Sequence, residues 1–257
     1  RGRATSGRLR STTEVQTLAY QPLVSGTDMS MTNGMDTDGN LFRNATHMWE
    51  TEVNGREDGN REWISKGISY WNSIDASVDG VLGGFGHTSD LDIEESRTFL
   101  GEVFGDHIAR SKADKSPLRV ADCGAGIGRI TKGLLADTFD RVDVVEPVVH
   151  FLDEARVNLK SFEGRIDFLQ VPLQSFEPQP ESYDMIWIQW VMGHLTDDDA
   201  VAFLQRCAQG LKAGGLIVVK ENNARKGFVL DREDNSITRS DGYLVELFRK
   251  ANLSLTC

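Results

Sequence analysis

From residue 117 to residue 220 the sequence alternates between short apolar runs and longer segments in which apolar residues recur every three or four positions. Runs of the first kind predict buried strands, and segments of the second kind predict amphipathic helices. The predicted strands lie at about 119–123, 141–146, 165–171, 184–190 and 215–220, and the predicted helices at about 129–137, 148–160 and 198–211. Strands that alternate with helices form a parallel sheet with right-handed crossovers. We therefore predict an α/β core over residues 116–257, with helices on both faces of the sheet.

A different pattern, over residues 61–115, precedes this core. Its first part places aromatic and aliphatic side chains at helical spacing, namely Trp63, Ile64, Ile68, Tyr70 and Trp71. A glycine-rich stretch follows at Val78–His87, and a second amphipathic helix is predicted to begin near Ser89. An aromatic helix joined to a mobile glycine-rich segment is typical of a lid that closes over a substrate. A helix that simply packs on the sheet is the alternative.

Residues 1–60 lack a sustained apolar period, and we predict a mostly disordered extension. The stretch 27–60 is rich in Gly, Asn, Asp and Thr, and only 45–52 has a pattern that suits a short helix. The first twelve residues hold four arginines and no acidic residue. This composition resembles the end of an organellar transit peptide. A basic disordered leader or a shortened sequence is the alternative.

The best-defined motif is the segment Val120–Leu134, VADCGAGIGRITKGL, in which three glycines separate a predicted strand from a predicted helix. A turn of this kind needs positive φ angles at Gly124, Gly126 and Gly128, and it lets a ligand approach backbone N–H groups at a helix N-terminus. The dinucleotide fingerprint GxGxxG would place its third glycine at Arg129. The segment instead resembles motif I of the class I S-adenosylmethionine-dependent methyltransferases. A glycine-rich turn without a ligand is the alternative.

The carboxyl ends of the predicted strands supply candidates for an adenosyl site, because ligands of parallel sheets bind beyond those ends. Glu146 ends the second strand of the core, about twenty residues after the glycine turn, where a carboxylate accepts hydrogen bonds from both ribose hydroxyls. Arg129 suits the methionine carboxylate and Asp122 suits the methionine ammonium. A solvated acid at Glu146 and a surface role for Arg129 are the alternatives.

The fourth predicted strand of the core runs DMIWIQWVMGHL and lacks the Asn/Asp-Pro-Pro-aromatic tetrad of nucleic-acid amino methyltransferases. Gln189, Trp190 and His194 leave this strand together and offer an amide, an aromatic wall and an imidazole. Methyl transfer to an amine needs a neutral nucleophile, which a base with a pKa near neutrality can provide. His194 is therefore a candidate base, although a single histidine is more often structural.

An acidic stretch follows the fifth predicted strand. Asp231, Glu233, Asp234 and Ser236 can form a rim that binds a cation, and Asn222 can hold a peptide carbonyl. An ordinary charged loop is the alternative. No His/Cys spacing of a metal site occurs, so we predict no metal, and a two-carboxylate magnesium site is a remote alternative.

The amino-acid composition limits the classes of molecule that the protein is expected to bind. The formal net charge is -11 and no basic stretch follows the first ten residues, so we expect no nucleic-acid partner. An acidic surface suits basic peptides better. The three cysteines lie far apart without a CxxC pair, which argues against a disulfide framework or a zinc site. No run of about eighteen apolar residues occurs, and we expect no membrane partner.

Four segments occur in order along the chain, YWNSIDASVDGVLGGFGH, DCGAGIGRITKGLL, WIQWVMGHLTD and VVKENNARKGFVLDREDNSITRSD. Together they resemble the alpha-N-terminal protein methyltransferases, most of all the plant members, over about Trp63 to Leu255. Members of this family methylate the free α-amine of proteins that begin Xaa-Pro-Lys once Met is removed. The resemblance implies a class I, Rossmann-like fold with N-terminal lid helices. It also implies S-adenosyl-L-methionine as the methyl donor and S-adenosyl-L-homocysteine as the product.

The resemblance also implies roles for individual residues. The cofactor contacts of the family match Gly124, Arg129, Leu173, Gln174 and Gln189, beside Asp122, Gly126 and Glu146, the last of which stands where many members have Asp. The peptide groove of the family matches Trp71, Leu82, Trp190, His194, Asn222, Asp231, Asp234 and Ser236. In the implied mechanism His194 and Asp234 help to deprotonate the substrate ammonium. Trp71 and Trp190 wall the channel, Asn222 binds the first carbonyl, and Asp231 with Ser236 meets the substrate lysine.

The resemblance stops short of the family's last strand, since the sequence ends at Leu253–Cys257 about where that strand begins. We expect either a fragment or a shortened form with a truncated C-terminal hairpin. We also expect a monomer that acts on basic tails, such as those of ribosomal or chromatin proteins, in the cytoplasm and nucleus. Organellar targeting by the N-terminal extension, an inactive Xaa-Pro-Lys binding protein and a small-molecule methyltransferase of the same fold remain open.

Overall fold

The computed structural model describes residues 33–255, and a five-stranded sheet forms their centre. Its strands are β3 (Arg119–Cys123), β4 (Arg141–Val145), β5 (Ile166–Leu169), β6 (Tyr183–Gln189) and β7 (Leu211–Lys220), in the spatial order β5-β4-β3-β6-β7. All neighbouring pairs are parallel, which confirms the predicted fold class. The chain leaves β3 toward β4 on one side and returns to β6 on the other. The glycine turn after β3 therefore lies at the topological switch point, where such sheets bind ligands.

Helices cover both faces of this sheet. One face packs against α4 (Ser89–Asp114), a π-helical turn (Thr131–Leu135) that continues into α5 (Ala136–Thr138), and α6 (Val149–Asn158). The other face packs against α7 (Asp197–Gly210) and α8 (Asp241–Lys250). Successive residues of a strand alternate between the two faces, so Val120 joins one core and Ala121 the other. Because both faces are covered, every residue of β6 is buried, and its central residues 185–188 form a continuous apolar run.

The segment before the first long helix is ordered from residue 33, which corrects the prediction of a mostly disordered extension up to residue 60. It contains β1 (Gly34–Asp36), β2 (Leu41–Phe42), α1 (Ala45–Trp49) and a π-helical turn (Glu50–Asn54). Phe42, Met48 and Trp49 are buried in the same core as α7. Strands of two and three residues are too short to show alternation, which is why the pattern missed them. The arginine-rich leader lies outside the described residues.

The acidic stretch after β7 is also not a plain loop. It forms β8 (Phe228–Asp231) and β9 (Ser236–Arg239), an antiparallel hairpin. A second sheet of order β2-β1-β8-β9 results, in which β1 runs parallel to β8. Phe228, Leu230 and Ile237 face the core while their neighbours are partly exposed. Strands of only four residues are too short for the sequence to show a clear alternation.

Two N-terminal helices lie over the carboxyl ends of the five-stranded sheet. These are α2 (Gly59–Asn72) and the short α3 (Val78–Val81). Trp63 of α2 is buried in the core, and the ring of His150 binds the carbonyl oxygen of Ile74 at 2.8 Å. Within residues 33–255, no helix combines the length and the apolar character needed to span a bilayer.

Candidate active site

A cleft lies between these two helices and the carboxyl ends of β3, β4 and β6. It contains about 1070 Å³ of space, part of which is open solvent. Twelve of the predicted residues line it: Trp71, Leu82, Asp122, Gly124, Gly126, Arg129, Glu146, Leu173, Gln174, Gln189, Trp190 and His194. Asn222, Asp231, Asp234 and Ser236 lie outside its lining. The cleft thus gathers residues that are up to 123 positions apart in the chain (194 − 71 = 123).

The glycine turn forms the floor of the cleft. Gly124, Gly126 and Gly128 have φ angles of 73°, 55° and 75°, so all three adopt the left-handed backbone that the sequence predicted. A Cβ atom at Gly124 would lie 2.6 Å from a methyl carbon of Val191, closer than the two atoms can pack. The absence of side chains leaves the backbone of this turn open to a ligand.

Glu146 stands at the end of β4 beside this turn. Its two carboxylate oxygens accept hydrogen bonds from the backbone N–H groups of Gly126 and Val148, each at 2.9 Å. Burial raises the pKa of Glu146 to about 7, although both N–H groups lower it. Each oxygen keeps a further lone pair, so the carboxylate can still accept ligand hydroxyls.

Asp122 is buried at the end of β3. Its Oδ2 atom accepts a hydrogen bond of 2.6 Å from the hydroxyl of Thr131. Burial raises the pKa of Asp122 to about 6, against the lowering effects of Thr131 and of the Arg129 charge. Below this pKa the group is neutral, and a cationic ligand group close to it would favour its ionised form.

Asp92 organises the other side of the cleft, and the sequence analysis missed it. It lies in the first turn of α4, and its carboxylate lies 2.7 Å from Arg129, forms an ion pair with Lys220 and accepts two hydrogen bonds of 3.0 Å from the Gln189 amide. Lys220 also donates to the hydroxyl of Ser96 at 3.0 Å. An acid in the first turn is ordinary helix chemistry, so the sequence carried no signal of this cluster.

Trp190 forms an aromatic wall above this cluster. The guanidinium of Arg129 lies 5.4 Å from the centroid of its ring and the Lys220 ammonium 5.8 Å from it, both within cation–π range. Trp190 has a left-handed φ of 56°. Its indole N–H is buried and has no hydrogen-bond partner among the described residues. Groups of this kind are usually satisfied by water or a ligand.

His194 is bound by two tryptophans of α2. The indole N–H of Trp71 donates to Nε2 of His194 at 2.9 Å, and that of Trp63 donates to the carbonyl oxygen of His194 at 2.9 Å. Because an indole N–H can only donate, Nε2 must carry its lone pair, and the neutral ring has its proton on Nδ1. Burial lowers the pKa of His194, while the charge of Asp234 raises it. His194 is therefore a neutral imidazole in this arrangement.

The candidate peptide residues on the β8–β9 hairpin approach the cleft from the side of α2. Asp234 accepts a hydrogen bond from Ser236, and burial raises its pKa while Ser236 and His194 lower it. The pKa of Tyr70 in α2 is raised by burial and then by the charges of Asp234, Glu233 and Asp231. These acids therefore face α2 at the entrance. Asn222 is exposed after β7.

Glu221 and Arg239 hold the loop that carries Trp190 and His194, and both were missed as site residues. The carboxylate of Glu221 accepts the backbone N–H groups of Val191 and Met192 at 2.7 and 2.6 Å, and burial raises its pKa to about 7. Arg239 is buried and donates to the carbonyl oxygens of Met192 and Leu195 at 3.0 and 2.7 Å. Their partners are distant in sequence, so no local pattern reveals them.

Among residues 33–255, no group of three or more His, Cys, Asp or Glu side chains is placed so that it could hold a metal ion.

Comparison with known proteins agrees with this geometry. A family model described as AdoMet dependent proline di-methyltransferase matches residues 59–257. Alpha N-terminal protein methyltransferase 1 of Arabidopsis thaliana is 48% identical over an alignment of 227 residues, which covers 86% of this chain and 82% of that protein. The chain belongs to the AdoMet-dependent proline di-methyltransferase family. N-terminal Xaa-Pro-Lys N-methyltransferase 1 of Bos taurus is similar as well, at 45% identity over 197 residues, with 76% of this chain and 86% of that protein covered.

A solved structure supports the same assignment. A SAM-dependent methyltransferase of Leishmania major superimposes with a TM-score of 0.76 at 38% sequence identity, and the match covers 86% of each chain. The family resemblance and the fold class predicted from the sequence are thereby confirmed. The protein is an S-adenosylmethionine-dependent methyltransferase with the class I fold.

The cleft fits the cofactor of this family. The side-chain-free turn at Gly124 and Gly126 gives room for an adenosyl group, and the buried Glu146 has lone pairs for ribose hydroxyls. Near Asp92 two cations share one carboxylate, which leaves a positive charge to attract the cofactor carboxylate. The cleft therefore has the room and the polar groups that this cofactor needs.

Proposed function

We propose that this methyltransferase transfers methyl groups to the free α-amino group of proteins that begin Xaa-Pro-Lys after Met removal. The observation that carries the proposal is that His194, in the lining of the cofactor cleft, lies within electrostatic range of Asp234 in the acidic hairpin. A neutral imidazole and a carboxylate at that point suit an amine that must lose a proton before it attacks. The names of the plant and bovine relatives support the same substrate class.

The cofactor supplies an electrophilic methyl group on a sulfonium. We propose that Gly124, Gly126, Leu173, Gln174 and Gln189 form the cofactor contacts. Glu146 would hold the ribose, Arg129 the carboxylate and Asp122 the ammonium of the methionine end. The raised pKa of Glu146 means that this carboxyl ionises at about pH 7, which suits a group whose charge appears when hydroxyls bind to it.

In the proposed reaction His194 accepts the proton of the substrate ammonium with the help of the Asp234 charge. The lone pair of Nε2 is occupied by the indole N–H of Trp71, so the indole must turn aside before this atom can accept a proton. We propose that entry of the peptide displaces it. Helix α2 would then act as the predicted lid, with Trp71, Leu82 and Trp190 as the walls of the channel.

The acidic hairpin accounts for the preferred sequence of the substrate. Asp231 with Ser236 would receive the lysine ammonium of the substrate, and Asn222 would bind the first carbonyl. Proline at the second position lacks an N–H group and has a fixed φ, so a narrow aromatic channel can select it. The net charge of -11 favours basic tails in general.

We further propose basic tails of ribosomal or chromatin proteins as substrates, action as a monomer, and residence in the cytoplasm and nucleus. Mass spectrometry of N-termini from cells with and without the enzyme would identify the substrates. Size-exclusion chromatography with light scattering would test the monomer. Fractionation with an antibody would test the compartment, an organellar location being the competing outcome.

The test of the function is methylation of a synthetic Ser-Pro-Lys peptide followed by mass spectrometry, which reports activity, site and methyl count together. We expect His194→Ala and Asp234→Asn to lower kcat by about 10²–10⁴-fold, the usual contribution of a general base. His87→Ala changes an exposed histidine on the other side of α3 and should keep wild-type activity.

Three results would contradict the proposal in different ways. Binding of the peptide without turnover would indicate an inactive Xaa-Pro-Lys binding protein. Equal activity on a peptide whose N-terminus is acetylated would exclude the α-amine as the acceptor. Turnover of small amines alone would indicate a small-molecule methyltransferase.

A further inference from the structure

The turn between β8 and β9 carries the candidate peptide residues and also Arg232, which binds a different part of the chain. Asp231, Asp234 and Ser236, the candidate peptide residues, belong to the side that approaches α2. Arg232 points the other way and binds the N-terminal segment, residues 33–54. Its Nε donates to Asp36 at 3.0 Å, and its two terminal nitrogens donate to the two oxygens of Glu52 at 2.7 and 2.9 Å. The pair with Glu52 is bidentate, the geometry that restricts both partners most.

These contacts are more than surface ion pairs. The side chains of Asp36 and Glu52 are 0% and 8% exposed, and that of Arg232 is 35% exposed. Burial opposes the charge of Asp36, yet hydrogen bonds from Asn40 and Arg232 and the Arg232 charge lower its pKa to about 2. The Asp36 carboxylate is therefore ionised at neutral pH, and the Arg232 charge holds it in place.

The backbone of the turn is fixed by the same segment. The N–H of Arg232 donates to the hydroxyl of Thr37 at 3.1 Å, and the N–H of Thr37 donates to the carbonyl oxygen of Leu230 at 2.9 Å. The guanidinium of Arg232 also lies 6.0 Å from the ring centroid of Phe42. Strand β1 therefore continues its pairing with β8 right up to the turn.

The inner end of the turn is attached to α2. Asn235 adopts a left-handed φ of 56°, and its amide donates to the carbonyl oxygen of Trp63 at 3.0 Å. Trp63 in turn binds the carbonyl oxygen of His194. The turn that carries these acids is thus bound on one side to the N-terminal segment and on the other side to α2.

We infer that Arg232, through Glu52 and Asp36, is a positioning residue for the substrate peptide, and that residues 33–54 therefore contribute to peptide affinity without touching the peptide. The inference rests on the proposed function. A turn that is already ordered avoids the conformational entropy that would otherwise be lost when the peptide binds. Arg232, Glu52 and Asp36 do not line the cofactor cleft.

The experiment compares two conservative variants with a matched control. Arg232→Lys keeps the charge but loses the fork that binds Glu52 in two places, and Glu52→Gln keeps the shape of the partner. We expect each to raise KM for a Ser-Pro-Lys peptide about tenfold and to leave the KM for S-adenosylmethionine within about twofold of wild type, while kcat falls as far as Asp234, which lies in the same turn, is displaced. The double variant should resemble either single one, because both remove the same interaction.

Arg56→Lys is the control, because Arg56 binds Oε2 of the same Glu52 carboxylate at a longer distance, 3.4 Å, and lies outside the turn. It should leave the peptide KM unchanged. A lower kcat with both KM values unchanged would mean that the Arg232–Glu52 contact affects the folded fraction or Asp234 and not peptide binding, and this overturns the inference, as does a peptide KM that stays at the wild-type value. A wild-type protein that does not methylate the peptide overturns the proposed function and the inference with it.

Discussion

The hydrogen bond from Trp71 to His194 sets the protonation state of a single residue. A donor that binds the lone pair of Nε2 stabilises the neutral ring, and burial lowers the pKa of His194 in the same direction. Trp71→Phe removes the donor, so we expect the pKa of His194 to rise. The acidic limb of the kcat/KM–pH profile, which reports the free enzyme, should then move to higher pH, because the base becomes protonated at a higher pH.

Trp63→Phe serves as the control for this prediction, since Trp63 binds the carbonyl oxygen of His194 and not its ring. In Trp63→Phe the acidic limb of the pH profile should lie at the same pH as in the wild type, even if a smaller fraction of the protein is folded. An unchanged limb in Trp71→Phe would show that the indole does not govern the imidazole.

The raised pKa of Glu146 predicts that the affinity for the cofactor depends on pH. Its pKa is raised to about 7, so the carboxyl is protonated below that pH and ionised above it. Ribose hydroxyls bind the ionised form better, and binding therefore releases a proton. The affinity for S-adenosylhomocysteine should increase with pH up to about 7, by at most about tenfold per pH unit, and level off above it.

Isothermal titration calorimetry at several pH values would measure this dependence. Glu146→Gln cannot ionise, so the slope between pH 6 and 7 should be smaller in this variant, with Asp122, whose pKa is about 6, as the remaining titrating group in contact with the cofactor end. A wild-type affinity that is flat over this range would contradict the proposed role of Glu146.

The sequence predicted a site residue only where the topology of a parallel sheet brings that position close to the other site residues. Asp122, Glu146 and Gln189 each end a strand of a parallel sheet, and such ends meet at one edge. Asp92 and Lys220 are 128 positions apart (220 − 92 = 128), and an acid near a helix start or a lysine in a strand is unremarkable alone. Contacts of this kind arise from tertiary packing, which no local pattern records.

At the scale of elements, α4 is attached to the sheet by the Asp92 cluster. Asp92→Asn would leave Lys220 and Arg129 without their carboxylate in a place where their side chains are only 3% and 9% exposed. Removal of one partner of a buried ion pair costs about 3–5 kcal/mol. We therefore expect the free energy of unfolding, measured in urea, to fall by about 3 kcal/mol.

Asp90→Asn is the matched control, because Asp90 lies two residues away in the same helical turn and is exposed. It should change the free energy of unfolding by less than about 0.5 kcal/mol. Similar effects in the two variants would mean that the cluster contributes little to the attachment of α4.

The long elements were predictable and the short ones were not. The five core strands and helices α6 and α7 lie within a few residues of their predicted positions, because buried strands and amphipathic helices of that length leave a clear period. The second sheet, by contrast, is built from strands of two to four residues. Its stability comes from Phe42 and Phe228 packing together, a contact between residues too far apart for periodicity to show.

At the scale of the whole molecule, the site is assembled from three parts. The five-stranded sheet supplies the cofactor cleft, α2 supplies the cover, and the hairpin of the second sheet supplies the acids at the entrance. The fold class followed from the alternation of strands and helices. The contact between the β8–β9 hairpin and α2 could not be predicted from the sequence. It depends on single hydrogen bonds, such as that from Asn235 to Trp63.

The placement of the tryptophans gives the protein a built-in optical probe. The chain has five of them, and each belongs to this region: Trp49 packs edge-on against Trp63, Trp71 binds His194, Trp187 donates to Gln189, and Trp190 lines the cleft. Tryptophan emission therefore comes from the cleft lining, at Trp71 and Trp190, and from side chains packed close to it. We expect the emission of the unmodified protein to change when the cofactor or a peptide binds, without any added label.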